Sequence, residues 1–176
     1  MKTQKILVVD GHDGAGKTTI AKRIAEEYGM KYVKPFSDSL GDLIAWSYRE
    51  GKYSLLNDIA MAAVEKQLSE NKNTDVIFDR HWMSMFSILP KIYHSGWEIP
   101  TTICCWADIA TTLDRLRKRD RMDEEWDHEH FCLCYKEYAI KYGIMLLDTS
   151  LNTDVESNLQ LLNGFLTSRG FVKNGS

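Results

Sequence analysis

The chain has 176 residues, 44% of them hydrophobic and 27% charged, with a formal net charge of -3. That is enough for one domain with a sizeable core, and the small negative charge gives no general basic field for extended nucleic-acid binding. No apolar run approaches the roughly 20 residues of a membrane span. Met1-Lys2-Thr3-Gln4-Lys5 runs straight into the first apolar segment, which leaves no room for a signal peptide.

In chain order, the first expected strand is Lys5–Asp10. It leads directly into Gly11-His12-Asp13-Gly14-Ala15-Gly16-Lys17-Thr18, a complete G-x-x-x-x-G-K-[ST] loop. Ile20, Ile24, Ala25 and Tyr28 follow at helical spacing, so the motif sits between strand and helix as its chemistry requires. Glycines let backbone N–H groups turn inward around a phosphate chain, and the helix N-terminus adds partial positive charge. Lys17 can reach the outer phosphates of a nucleoside triphosphate, and the Thr18 hydroxyl can ligate Mg²⁺. Gly11 to Thr19 are therefore the candidate ATP-binding residues.

Further strands are expected at Lys31–Val33, Asp75–Asp79, Thr101–Ala107 and Gly143–Asp148. Between the second and third lies an amphipathic helix marked by Leu55, Leu56, Ile59, Ala60, Ala63, Val64 and Leu68. The third strand ends in Val76-Ile77-Phe78-Asp79-Arg80, which brings a carboxylate to the carboxyl edge near the phosphate loop. Asp79 can hold Mg²⁺ directly or through water, and Arg80 is a ready phosphate fork. Adjacent Cys104 and Cys105 point to opposite faces of a strand, which suits reduced thiols and a cytoplasmic location.

Residues 115–121 carry five basic side chains in seven positions. Leu113 and Leu116 anchor only the start of this run, so the later arginines lie beyond the packed helix. His128, His130, Cys132 and Cys134 alternate, but in a helix residues two apart do not share a face, so core cysteines and surface histidines are expected rather than a metal site. The last helix opens with Thr153-Asp154-Val155-Glu156, read as a capping box. Repeating β-α units imply a parallel sheet covered on both faces, with residues 1–176 forming one α/β domain.

These ordered motifs resemble the thymidylate kinase family of nucleoside monophosphate kinases. The likeness rests on Asp10 to Thr19, on Asp79-Arg80-His81 with Ser84 three residues later, on the arginine-rich run in the place of the lid, and on Leu147-Asp148-Thr149-Ser150. The resemblance implies a five-stranded sheet of order 2-3-1-4-5, a lid over roughly residues 115–127, and ATP with Mg²⁺ as donor. It implies that Lys17 and the loop amides hold the donor phosphates, with Thr18 and Asp79 at the metal. Asp13 would accept a hydrogen bond from the acceptor sugar's 3′-hydroxyl, and Arg80 would grip the acceptor phosphate. Some family members carry an arginine inside the loop where this chain has Gly14. It therefore resembles the subgroup whose lid supplies the catalytic cation, with Arg115 covering the adenine and Arg119 or Arg121 reaching the transferring phosphate.

On the acceptor side the chain departs from the family. Where the family has Arg-Glu-Pro after its second strand, this chain reads Val33-Lys34-Pro35, and a lysine is a point charge rather than a fork. Tyr53 and Asn57 align with the family's stacking aromatic and base-reading arginine. Asn57 either reads a base edge or caps a helix beginning near Asp58. The expected partners are small nucleotides, with no membrane; a homodimer stays open. The expected reaction is transfer of the ATP γ-phosphoryl to a deoxynucleoside monophosphate, dTMP or a related pyrimidine. A deoxynucleoside kinase acting on a hydroxyl and a non-catalytic nucleotide-binding protein are the alternatives.

Overall fold

Short apolar runs alternating with helices build one parallel sheet. The computed structural model describes residues 4–122, 124, 126–151 and 154–175. Its strands are β1 (Ile6–Asp10), β2 (Lys31–Val33), β3 (Val76–Asp79), β4 (Thr101–Trp106) and β5 (Met145–Asp148). They pair in the order β2-β3-β1-β4-β5, all parallel, with Val9 opposite Asp79, Asp10 opposite Cys104, and Trp106 opposite Asp148. The connection after β1 runs toward one edge of the sheet and the connection after β3 toward the other, so a crevice opens at the carboxyl ends of these neighbouring strands.

The helices are α1 (Lys17–Tyr28), α2 (Asp38–Arg49), α3 (Tyr53–Glu70), α4 (Trp82–Ile88), α5 (Ile109–Lys118), α6 (His128–Lys141) and α7 (Val155–Ser168), with a 3₁₀ turn at Lys91–Gly96. Period-two alternation along the strands fills two cores. Val8, Phe78 and Cys104 pack with Ile44, Leu56, Trp82 and Tyr135 on one face. Val9, Ile77 and Cys105 pack with Ile24 and Leu162 on the other. The adjacent cysteines thus point to opposite faces, and burial pushes both thiols up, Cys105 to about 12, which leaves them unreactive. Among the described residues no helix is long and apolar enough to cross a membrane.

The structure adds α2 and α4, whose apolar positions are interrupted by Gly41, Ser84 and Ser87 and gave no clean period in sequence. Of the two neighbouring leucines expected on the core face of α3, Leu56 is buried and Leu55 is 42% exposed. The cap of α7 is Asp154, whose carboxylate accepts from the Ser157 N–H at 2.9 Å. Thr153, expected as the capping residue, lies outside the described residues.

Candidate active site

Gly11 leaves β1 so close to β4 that a Cβ there would collide with the Cys105 carbonyl. His12 then turns inward and is buried. Its Nε2 accepts from the Ala107 N–H at 3.2 Å, and its Nδ1 lies 2.9 Å from the Asp13 carbonyl. This is a neutral imidazole carrying its proton on Nδ1, and burial holds its pKa down at about 4. The His12 side chain therefore pins the loop to the sheet edge, which leaves only the backbone of this residue to face a phosphate. Gly14 has φ +77°, and a Cβ there would sit 3.2 Å from the Thr112 carbonyl oxygen. Helix α5 packs against the loop at this point, which accounts for the missing side chain.

Lys17 opens α1 and is buried, with Nζ 3.3 Å from the His12 carbonyl oxygen and 3.7 Å from Asp13 Oδ1. Burial is the main reason its pKa falls to about 8, with the Arg80 charge adding to it. The next residue, Thr18, donates to Asp79 Oδ2 at 2.6 Å, and Tyr32 of β2 donates to the same oxygen at 2.7 Å. Asp79 Oδ1 is buried with no hydrogen-bond partner among the described residues. A hydroxyl beside a carboxylate with one free oxygen is a donor set that fits a hard divalent cation.

Arg80 follows Asp79 with φ +81°, a left-handed conformation that a bulky residue rarely adopts. Asp10 holds that turn in place. Its Oδ2 accepts from the His81 and Ser84 N–H groups at 2.9 and 3.1 Å, and its Oδ1 accepts from the Ser84 hydroxyl at 2.7 Å and the Gly11 N–H at 2.9 Å. The Arg80 guanidinium then reaches Asp13 in an ion pair, with Ser84 Oγ at 3.1 Å and the Tyr135 hydroxyl at 3.5 Å. The Arg80 charge is the leading reason that the Asp13 carboxyl is held well below the usual carboxylate range. No local sequence pattern marks the roles of Asp10 and Tyr135 beside Arg80. The only sign of the first was a charged residue ending an apolar strand.

The two sides of the loop face different spaces. On one side, Gly16, Thr19, Thr149, Asn158, Arg115 and Arg119 border a cleft of about 670 Å³. Arg115 donates to the Gly14 carbonyl at 3.1 Å, to Thr149 Oγ1 at 2.9 Å and to the Thr149 carbonyl at 2.8 Å. Thr149 in turn donates to the Ala15 carbonyl at 2.9 Å, so α5, the loop and the end of β5 are tied together. Arg119 caps α5 and Arg121 lies just beyond it, both exposed. Of the expected lid, residues 123 and 125 lie outside the described residues.

On the other side, Asp13, Arg80 and Ser84 border a cavity of about 170 Å³ with Phe36, Trp126 and Tyr135. His128 also lines it, half-buried rather than on the open surface as expected. Its neighbours in the alternating motif divide: Cys132 is buried, whereas His130 is exposed with Nε2 3.3 Å from Cys134 Sγ. Lys34, Tyr53 and Asn57 are not among the lining residues. Lys34 is exposed after β2 and Tyr53 begins α3. Asn57 lies in the second turn of that helix, so it is not its cap. Its Oδ1 accepts from Trp97 Nε1 at 3.0 Å, which commits it to the core.

A phosphate loop at the carboxyl edge of a 2-3-1-4-5 parallel sheet, with one cleft on each side, defines a P-loop kinase. The chain belongs to the AAA domain family, whose model matches residues 7–138. It is 28% identical to a probable thymidylate kinase of Metallosphaera sedula over 94% of this chain and 97% of that one. It is also 28% identical to a cytidylate kinase of Sulfurisphaera tokodaii over 88% of each. In fold it is similar to the deoxyadenosine kinase of M. mycoides with bound dATP, with TM-score 0.63, 20% identity, and 92% of this chain and 99% of that chain covered. The phosphate donor of this class is ATP.

Proposed function

We propose that the chain transfers the γ-phosphoryl group of ATP to a deoxynucleoside monophosphate, most favourably dTMP or a related pyrimidine nucleotide, giving the diphosphate. One observation carries the choice of acceptor. Asp13 is the only carboxylate among the described residues lining the acceptor cavity, and its ion pair with Arg80 makes it a very weak base. A sugar hydroxyl needs a base to become a nucleophile, whereas an acceptor phosphate oxygen is already anionic. The site is suited to the second.

In this reading the loop amides from Gly11 to Thr19 and Lys17 hold the donor phosphates, and Arg115 covers the adenine. Thr18 and Asp79 hold a magnesium ion, which supplies charge neutralisation at those phosphates. Arg80 grips the acceptor phosphate, with Ser84 and Tyr135 fixing its guanidinium and Asp13 turned toward the acceptor sugar. Arg119 or Arg121 adds positive charge at the transferring group and helps exclude water. Catalysis is then positioning and charge neutralisation within one domain.

A second reading, a deoxynucleoside kinase, is favoured by the scarcity of cations: Arg80 is the only Arg or Lys among the described residues lining the acceptor cavity. ADP release from ATP with matched pairs of nucleosides and monophosphates separates the two. Transfer to monophosphates and none to nucleosides is expected. Activity confined to nucleosides overturns the monophosphate assignment.

A further inference from the structure

Two walls of the acceptor cavity come from segments far apart in sequence, and one pair of rings joins them. On one side stand Phe36 and the α2 residues Gly41, Ile44 and Ala45. Close backbone contact seats α2 there, since a Cβ on Gly41 would lie 2.9 Å from the Phe36 carbonyl oxygen. On the other side stand Trp126 and Phe131. Asp127 caps α6, its Oδ1 accepting from the His130 N–H at 2.9 Å, so Trp126 precedes the cap and Phe131 is the fourth helical residue. The two rings are tilted against each other at 5.2 Å, a hydrophobic staple that sets the angle at which the chain enters α6.

Trp126 itself lies outside the helix, so side-chain contacts decide where its indole stands. The staple is one such contact. The other is Tyr48 of α2, whose ring stacks on the indole at 5.6 Å with 6° between the planes. Tyr48 comes four residues after Ile44 and three after Ala45, one turn further along the face that lines the cavity. It is half-buried against the core that holds Ile44 and Tyr135, and it is not among the described lining residues. We infer that Tyr48 is a positioning residue for the acceptor, which holds the α6 wall at a set distance from the α2 wall by stacking on Trp126. This rests on the reading of that cavity as the acceptor site. Without the Tyr48 ring, Trp126 keeps only its local staple, and part of the binding energy goes into ordering it. The effect belongs to the acceptor, because none of the described residues lining the donor cleft comes from α2 or α6.

The test is steady-state kinetics, with acceptor and ATP varied in turn, and thermal melts. The acceptor is dTMP, or whichever nucleoside or monophosphate of the matched pairs is turned over fastest. Tyr48→Ala should raise the acceptor KM about three- to tenfold and leave that for ATP within about twofold. Tyr48→Phe keeps a flat ring and should restore the wild-type value, whereas Tyr48→Leu should not. Because Tyr48 acts through Trp126, the combined Tyr48→Ala and Trp126→Ala variant should match Trp126→Ala alone. Additive losses, an ATP KM that rises as much as the acceptor KM, or a lower melting temperature with the acceptor KM unchanged overturns the inference. Tyr48→Leu is read in place of the alanine variant if that one does not fold. If the wild type phosphorylates nucleosides alone, the monophosphate reading fails, and the same comparison with the nucleoside decides this one. Calorimetric dissociation constants for dTMP decide it if turnover is absent.

Discussion

The Thr18 hydroxyl donates to Asp79 Oδ2 at 2.6 Å, which joins the start of α1 to the end of β3 across the parallel pairing of β1 and β3. Tyr32 donates to the same oxygen, so the carboxylate is oriented from two sides while Oδ1 stays free of protein partners among the described residues. Replacing Asp79 by Asn keeps the shape but removes the charge that a cation needs. Asp79→Asn should lower kcat by roughly 10²-fold or more and raise the Mg²⁺ concentration needed for half-maximal rate. Titrating Mg²⁺ at saturating ATP checks this; an unchanged Mg²⁺ dependence would remove Asp79 from the metal site.

Asp10 is a different kind of residue. Its carboxylate is completely buried, accepts four hydrogen bonds and touches neither cavity. An amide in its place would set an N–H₂ against N–H and O–H donors. Asp10→Asn should cost about 2–4 kcal/mol of stability, read as a lower midpoint in urea. Because Asp10 also holds the turn that presents Arg80, the folded fraction should show a raised KM for the acceptor with little change in that for ATP. Equal changes in both constants would argue that the turn does not need it.

Asp10 also marks the limit of what local sequence pattern encodes. The five strands were legible because β-branched and aliphatic runs end at charged or glycine residues, and the phosphate loop because its spacing leaves few alternatives. Strand order came from resemblance, since periodicity says nothing about which strands are neighbours. On the acceptor side, Phe36, Trp126 and Tyr135 come from three separate segments and share a cavity only once α2 and α6 cross the same sheet face. No local pattern marks such a set. The placement of Asn57 went astray for the same reason, because its partner Trp97 is 40 residues away.

The arginines at the end of α5 should separate into two behaviours. Arg115 is tied to Gly14 and Thr149 by three hydrogen bonds, so it fixes one wall of the cleft beside the loop. Arg119 and Arg121 are exposed at and beyond the helix end. Arg115→Ala should raise the KM for ATP about tenfold and lower the melting temperature. Alanine at Arg119 or Arg121 should leave stability within about 0.5 kcal/mol, while one of the two lowers kcat by 10²-fold or more. Paired steady-state kinetics and thermal melts check this. If both exposed arginines change only ATP affinity, the cation that stabilises transfer lies elsewhere.

The buried basic groups all make folding more favourable as pH rises, whereas nucleotide binding needs one of them charged. His12 and His81 are held neutral by burial, each with a pKa of about 4 against an ordinary 6.5. The unfolded chain binds more protons in that window, so stability falls as pH drops from about 6.5 toward 4, by up to about 3 kcal/mol per histidine. Lys17 is also depressed, to about 8 from 10.5, so its burial penalty is fully present below pH 8 and relaxes as pH rises toward 10.5. Nucleotide binding runs the other way, because the phosphates need Lys17 charged. The dissociation constant for ATP should be flat near pH 7 and rise up to tenfold per pH unit above about 8. Calorimetric titrations from pH 6.5 to 9.5 on the wild type and Lys17→Arg test this, since a guanidinium stays charged throughout and should flatten the curve. An equally steep rise in Lys17→Arg would assign the alkaline limb to another group.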